Sequence, residues 1–287
     1  MPATDGLGTA AKNSSTLEHL ISPMVAEALF VAAETSIMRP LVRNYNMPMG
    51  SGKVLQVPIY PTKLADNLTE LSDLSNTAIA TTKKDLTIQE AGLMVTLSDL
   101  SRDTSETDVI QDLGKLLGEA VSKRIDRSLT SLFNGFSQSV GNDGTDLTVS
   151  TISEAVTKLR ANAVPGPYVG VFNPEQTHAL KKDLTNTFQN PNAGDLQNEA
   201  MRQGFVTELL GVRIFETSNV IEDSATAVSG AIFSTDALGL AMMKDISIEQ
   251  QRDASLRATE LVCTMSYASG ELHDTYGIEV KSSNSGL

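Results

Sequence analysis

Between residues 106 and 134 the chain carries one long helical stripe with no proline in it. Val109, Ile110, Leu113, Leu116, Leu117, Ala120, Val121, Ile125, Leu129, Leu132, Phe133 and Phe136 recur at helical spacing. Ser105 with Asp108 fits a loose capping box before it, and Asn134-Gly135 supplies a stop. Glu106, Asp108 and Asp112 lie near its start, and Lys123, Arg124 and Arg127 toward its end, both in keeping with the helix dipole. A helix over 106–134 is a rod of roughly 43 Å. That exceeds the usual helix of a compact domain, so the rod is expected to act as a spine.

The chain ahead of the spine is extended. Residues 1–16 are small and polar and read as a loose arm. Residues 17–38 have helical apolar spacing in places, interrupted by Pro23, and Pro40, Pro48, Gly50 and Gly52 then break the chain into extended structure. Residues 53–60 (KVLQVPIY) read as a strand, with Pro58 favouring an edge. Residues 85–97 (DLTIQEAGLMVTL) read as another, with Ala91-Gly92 suggesting a bulge or bend. The mostly polar stretch 61–84 between them carries Lys63, Asp66, Glu70, Asp73, Lys83 and Lys84. Excursions of that length usually serve a function or a contact. If the two strands pair, 53–97 is a long hairpin. The spacing of Leu64, Leu68, Leu71 and Leu74 also allows a short helix at its tip.

Behind the spine, helices and strands alternate. Gly141-Asn142-Asp143-Gly144 is a turn, without the spacing of a calcium loop. Thr151 with Glu154 is expected to cap a helix through Ala163, with Ile152, Ala155, Val156 and Leu159 on one face. A strand at 168–172, a helix from Asn173-Pro174 to about Leu184, a polar loop at 185–199 and strands at 211–215 and 231–234 come next. Residues 237–243 are a further apolar run. The C-terminal part is strand-rich: Leu261, Cys263, Met265 and Tyr267 alternate with Val262, Thr264, Ser266 and Ala268, and Tyr276, Ile278 and Val280 with Gly277 and Glu279. The pattern is that of an α+β chain with a compact mixed domain.

Composition narrows the chemistry. Lys plus Arg is 22 and Asp plus Glu is 35, a net charge of −13. Such a surface repels phosphate, which argues against sequence-specific nucleic-acid binding. One cysteine precludes an intrachain disulfide or a cysteine zinc site, and His19, His178 and His273 lie far apart. The N-terminus lacks the basic and apolar regions of a signal peptide, and no segment is long and apolar enough to span a bilayer. Gly6-Leu7-Gly8-Thr9-Ala10-Ala11 matches a loose dinucleotide fingerprint with no strand before it. His178 reads as a packed or half-exposed helix residue, and Cys263 as a small buried hydrophobe. Ser269, His273 and Asp274 resemble a triad fragment, but adjacent residues of an extended chain face opposite ways. Lys83-Lys84 reads either as a solvated pair or as a salt contact to an acidic neighbour. No catalytic residue, cofactor or metal is expected.

Several short motifs occur in a telling order. Val95-Thr96-Leu97-Ser98-Asp99-Leu100-Ser101-Arg102-Asp103 precedes the spine, Ile125-Asp126 lies late in it, and Asn134-Gly135 ends it. Phe172-Asn173-Pro174 and Gly211-Val212-Arg213-Ile214 lie beyond. With a polar arm and a long hairpin ahead, this order resembles the major capsid proteins of tailed bacteriophages over nearly the whole chain. The resemblance implies an N-terminal arm at 1–52, an extended loop at 53–97, and a peripheral domain with the spine at 98–140. It implies an axial α/β domain at 141–244, peripheral strands at 245–270 and an axial return strand at 271–287. It also implies a homo-oligomeric icosahedral shell of pentamers and hexamers enclosing a double-stranded DNA genome without reading its sequence. The implied partners are portal, scaffolding and decoration proteins, with assembly in the host cytoplasm. The chain starts almost directly at the arm, so a scaffold is expected to be a separate protein. No motif places a Lys–Asn cross-link between subunits here. On this reading Lys63, Asp66, Glu70, Asp73, Lys83 and Lys84 are expected intersubunit contacts. Three other readings compete: the shell of a bacterial compartment holding cargo enzymes, an α/β enzyme, and a tube-forming filament protein. Filament proteins pair long helices from both termini, whereas the long helix here is internal.

Overall fold

The computed structural model describes residues 36–61, 65, 67, 78–100, 109–187, 208–220, 222–224 and 227–283. The chain divides into two compact units. One contains Ala91–Ser122 and Asp245–Met265; the other contains Ser36–Glu90, Lys123–Lys244 and Ser266–Leu287.

The spine is α1, Val109–Thr130. The residues expected to cap it, Ser105 and Asp108, lie outside the described residues. Leu117, Val121, Ile125 and Leu129 are buried along one column, as the stripe requires. Leu116 departs from it and is 51% exposed. The helix also ends before the expected Asn134 stop. Thr130 turns its hydroxyl onto the carbonyls of Arg127 and Asn219, at 3.2 and 2.9 Å. The backbone then tightens, Leu132 N donating to Leu129 O and Gly135 N to Leu132 O, so Phe133–Gly135 is a 3-10 turn. That turn buries Phe133 against Phe233, ring centroids 5.7 Å apart.

The larger unit is built on a seven-stranded mixed sheet of described strands. They are β5 (Ser139–Gly141), β6 (Tyr168–Phe172), β7 (Glu208–Leu209), β8 (Val212–Glu216), β9 (Glu222–Ser224), β10 (Ala227–Ser234) and β13 (Gly277–Ser283). The order is β5-β13-β10-β6-β8-β7, with β9 also on β10. β6 and β8 are parallel, so their connection must cross over, and the helix α3 (Pro174–Thr187) lies in it. α3 and α2 (Val149–Ala161) share a core with the sheet: Ile152, Val156 and Leu159 of α2 and Leu180 and Leu184 of α3 cluster with Phe172, Ile232, Ile278 and Val280. The cap of α2 is Thr148, not Thr151: its hydroxyl accepts from Thr151 N at 3.3 Å, and Asp183 accepts from Val149 N at 2.9 Å.

The last strand differs from its sequence pattern. Although apolar residues alternate with Gly277 and Glu279, β13 pairs β10 on one side and β5 on the other and is buried on both faces. Glu279 is buried there, accepting from Ser229 Oγ at 2.9 Å with the Lys281 ammonium 3.7 Å away.

A second, four-stranded sheet has the order β1-β11-β12-β4. β1 is Arg43–Asn46, β4 is Gln89–Ser98, β11 is Leu238–Asp253 and β12 is Ala258–Glu271. The apolar run at 237–243 therefore opens a strand much longer than the run itself. Leu261, Cys263 and Met265 are buried and alternate with half-buried neighbours, as their pattern implies. Gly92 lies within the strand β4. It marks a close approach, since a Cβ there would stand 2.8 Å from the Cys263 carbonyl oxygen. In the smaller unit, Arg252 clasps Asp99 with two bonds of 2.8 and 2.7 Å, and Asp253 closes the β11–β12 turn by accepting from Ser255 and Leu256.

Candidate functional site: the hairpin and its base

β2 (Val54–Ile59) and β3 (Thr82–Thr87) pair antiparallel in a two-stranded ribbon. The segments 53–60 and 85–97 thus contribute strands, although the partner of 54–59 begins earlier, at Thr82. Register settles which residues share a face. Leu55 stands opposite Leu86, Val57 opposite Lys84, and Pro58 opposite Lys83. Because side chains alternate, Leu55, Val57, Lys84 and Leu86 share the inner face. Val54, Gln56, Pro58, Lys83, Asp85 and Thr87 share the outer one.

The two adjacent lysines are therefore separated. Lys84 reaches Glu271 Oε1 of its own chain at 3.3 Å, while Lys83 lies exposed on the outer face. Lys63, Asp66, Glu70 and Asp73, and the tip helix suggested by Leu64, Leu68, Leu71 and Leu74, lie outside the described residues.

The base of the ribbon rests on its own unit. Leu86 and Ile88 are buried with Met47, Ala241, Ala268 and Leu272, and Leu55 and Val57 pack at the margin. Ile88 N donates to Lys53 O at 2.8 Å, closing the last ring of the ribbon. An open groove beside it is lined by Lys53, Ile88, Glu90, Met243 and Ser266. The other face is bare: Val54 is 40% exposed, and Tyr60, just beyond β2, 69%.

A second device fixes the chain that enters this unit. Ser122, Asp126 and Thr130 form a buried polar column on α1 beside the apolar one. The Asp126 carboxylate accepts from Ser36 Oγ at 2.8 Å, Ile37 N at 3.2 Å and Met38 N at 3.3 Å. Burial pushes its carboxyl above the usual range, and the hydrogen bonds from Ser36, the Ile37 and Met38 backbone and Asn219 offset this in part. Sequence periodicity does not mark Asp126, which lies one step, about 100° round the helix, from Ile125 of the apolar column. Glu271 and Gly270 likewise carry no local pattern that ties them to the hairpin.

The residues weighed for catalysis do not converge. Cys263 is buried, and burial pushes its thiol up, away from the reactive thiolate. Ser269 Oγ lies 2.6 Å from Ser128 Oγ. The His273 ring stacks on Tyr276 at 4.5 Å, and burial lowers its basicity. Asp274 accepts from Ser137 N at 2.8 Å. His178 is exposed on α3. Among the described residues no group of three or more His, Cys, Asp or Glu side chains is placed to hold a metal, and no helix is long and apolar enough to cross a membrane.

Comparison with known proteins places this geometry. The chain folds like the capsid protein of Cyanophage P-SCSP1u, with a TM-score of 0.67 at 18% identity over 88% of this chain and 89% of that one. It is similar to the capsid of a native GTA particle, with a TM-score of 0.68 at 14% identity over 88% and 90% of the two chains. The acid-stable capsid of Helicobacter pylori bacteriophage KHP30 aligns with a TM-score of 0.67 at 12% identity over 87% and 92%. No curated protein sequence matches significantly. The family described as phage capsid protein matches residues 81–279, which take in β3, the spine, the described strands from β4 to β12 and the start of β13. The chain belongs to the phage capsid protein family and is a shell-forming structural protein.

Proposed function

We propose that copies of this chain close into the icosahedral shell of a tailed double-stranded DNA phage, as pentamers and hexamers. Residues 141–244 and 271–287 form the axial domain at the vertices, and 98–140 with 245–270 the peripheral domain. The arm, 1–52, and the extended loop, 53–97, reach neighbouring copies. The protein acts in the virion after assembly in the host cytoplasm, with portal, scaffolding and decoration proteins as partners. Its role is structural, not enzymatic, and it needs no cofactor.

One observation carries the reading. A two-stranded ribbon on its own is marginal in water. β2 and β3 have no third strand among the described residues, and their outer face leaves Val54 and Tyr60 exposed. Burial for that face is supplied by a second copy, and repetition of one such contact closes a shell when the rotation permits. Lys63, Asp66, Glu70, Asp73 and Lys83 supply its charged contacts, with Lys83 on the outer face, while Lys84 on the inner one pairs with Glu271 of its own chain.

Replacing residues 61–80 by Asn-Gly joins β2 to β3 through a tight turn and removes the rest of the loop. The expected product is a folded subunit that forms no closed shells by negative-stain microscopy. Shells of normal yield and form from this variant would overturn the proposal.

A further inference from the structure

Leu86 is the most deeply buried residue of the ribbon, 2% exposed. Its side chain occupies the space that a residue larger than glycine would fill at position 270: a Cβ built on Gly270 would overlap Leu86 Cδ2. Two residues back on the same face, Lys84 meets Glu271, the neighbour of Gly270, at 3.3 Å. One contact is steric and the other ionic. Two contacts spaced along one strand define a direction, where a single contact defines only a point.

We propose that the Gly270–Leu86 notch and the Lys84–Glu271 pair form a keyed seat that sets the bearing of the hairpin, and with it the angle at which one copy meets the next. The inference rests on the hairpin being an intersubunit contact. The ion pair is the informative half. Its lysine is 47% exposed, and pairs so exposed add little to stability. Its part is to direct the ribbon, and removing it changes shell geometry without changing the melting temperature.

The test uses the full-length chain and two readouts: amide hydrogen exchange across Thr82–Thr87 in the unassembled subunit, and particle diameter by negative-stain microscopy. Leu86→Ala and Gly270→Ala are expected to speed exchange there about tenfold or more, as the seat opens locally. Lys84→Met is expected to melt like the wild type yet give particles of mixed diameter. Lys84→Glu does the same, and Lys84→Glu with Glu271→Lys restores a single diameter. Uniform particles of wild-type diameter from both Lys84→Met and Lys84→Glu would overturn the seat. If Leu86→Ala and Gly270→Ala fail to fold, the charge variants decide. The Asn-Gly replacement retains the whole seat, so normal shells from that variant would instead sink the reading of the hairpin, while exchange in the subunit still reports on the seat.

Discussion

Asp126 is buried where the spine has apolar neighbours, and it holds the backbone of Ile37 and Met38 as well as the Ser36 hydroxyl. Leaving buried donors without an acceptor costs about 1–3 kcal/mol, so Asp126→Ala is expected to lose roughly that much in urea unfolding. The charge has a pH signature as well. Burial raises the folded-state pKa, so the folded chain holds the proton at pH values where the unfolded chain has released it. Its contribution is therefore fully present below the ordinary carboxylate range and is lost as pH rises through the raised value. Asp126→Asn, which does not ionise, is expected to remove that decline from the pH dependence of the unfolding midpoint. Superimposable curves for wild type and Asp126→Asn would refute the assignment. Cys263 was legible as a buried residue, because it stands on the apolar side of an alternating strand.

At the scale of elements, the spine was the most legible part of the chain, since a period sustained over many residues survives local exceptions such as Leu116. Its stop was not, because Thr130 is bound by Asn219, which is distant in sequence. The cap of α2 was illegible for a related reason: Thr148 and Thr151 both suit the role, and only backbone geometry selects Thr148. Leu117 is fully buried on α1. Leu117→Asp removes that burial and places a charge there, and is expected to destabilise the fold by about 3 kcal/mol or more. A denaturation curve like that of the wild type would show the stripe to be unimportant. The hairpin was legible as two strands, but that Lys84 and not Lys83 faces inward depends on the register, which sets Lys84 opposite Val57.

At the scale of the whole molecule, charge is the property that sequence states directly. With a net charge of −13, the purified chain is expected to leave duplex DNA unshifted in a gel at about 0.15 M salt, where phosphate contacts need cationic side chains. A salt-sensitive complex at that ionic strength would show a basic patch that the total conceals. By itself, the sequence determined the α+β class, the internal spine, the order of elements and the acidic surface, because periodicity, turn residues and charge are local or additive quantities. Only the tertiary structure decided that β13 lies buried between β5 and β10, that Ser36 is tied to Asp126, and that Leu86 lodges over Gly270. Each of those depends on residues tens to more than a hundred positions apart, and no local pattern encodes which distant group will arrive to fill a space or accept a proton.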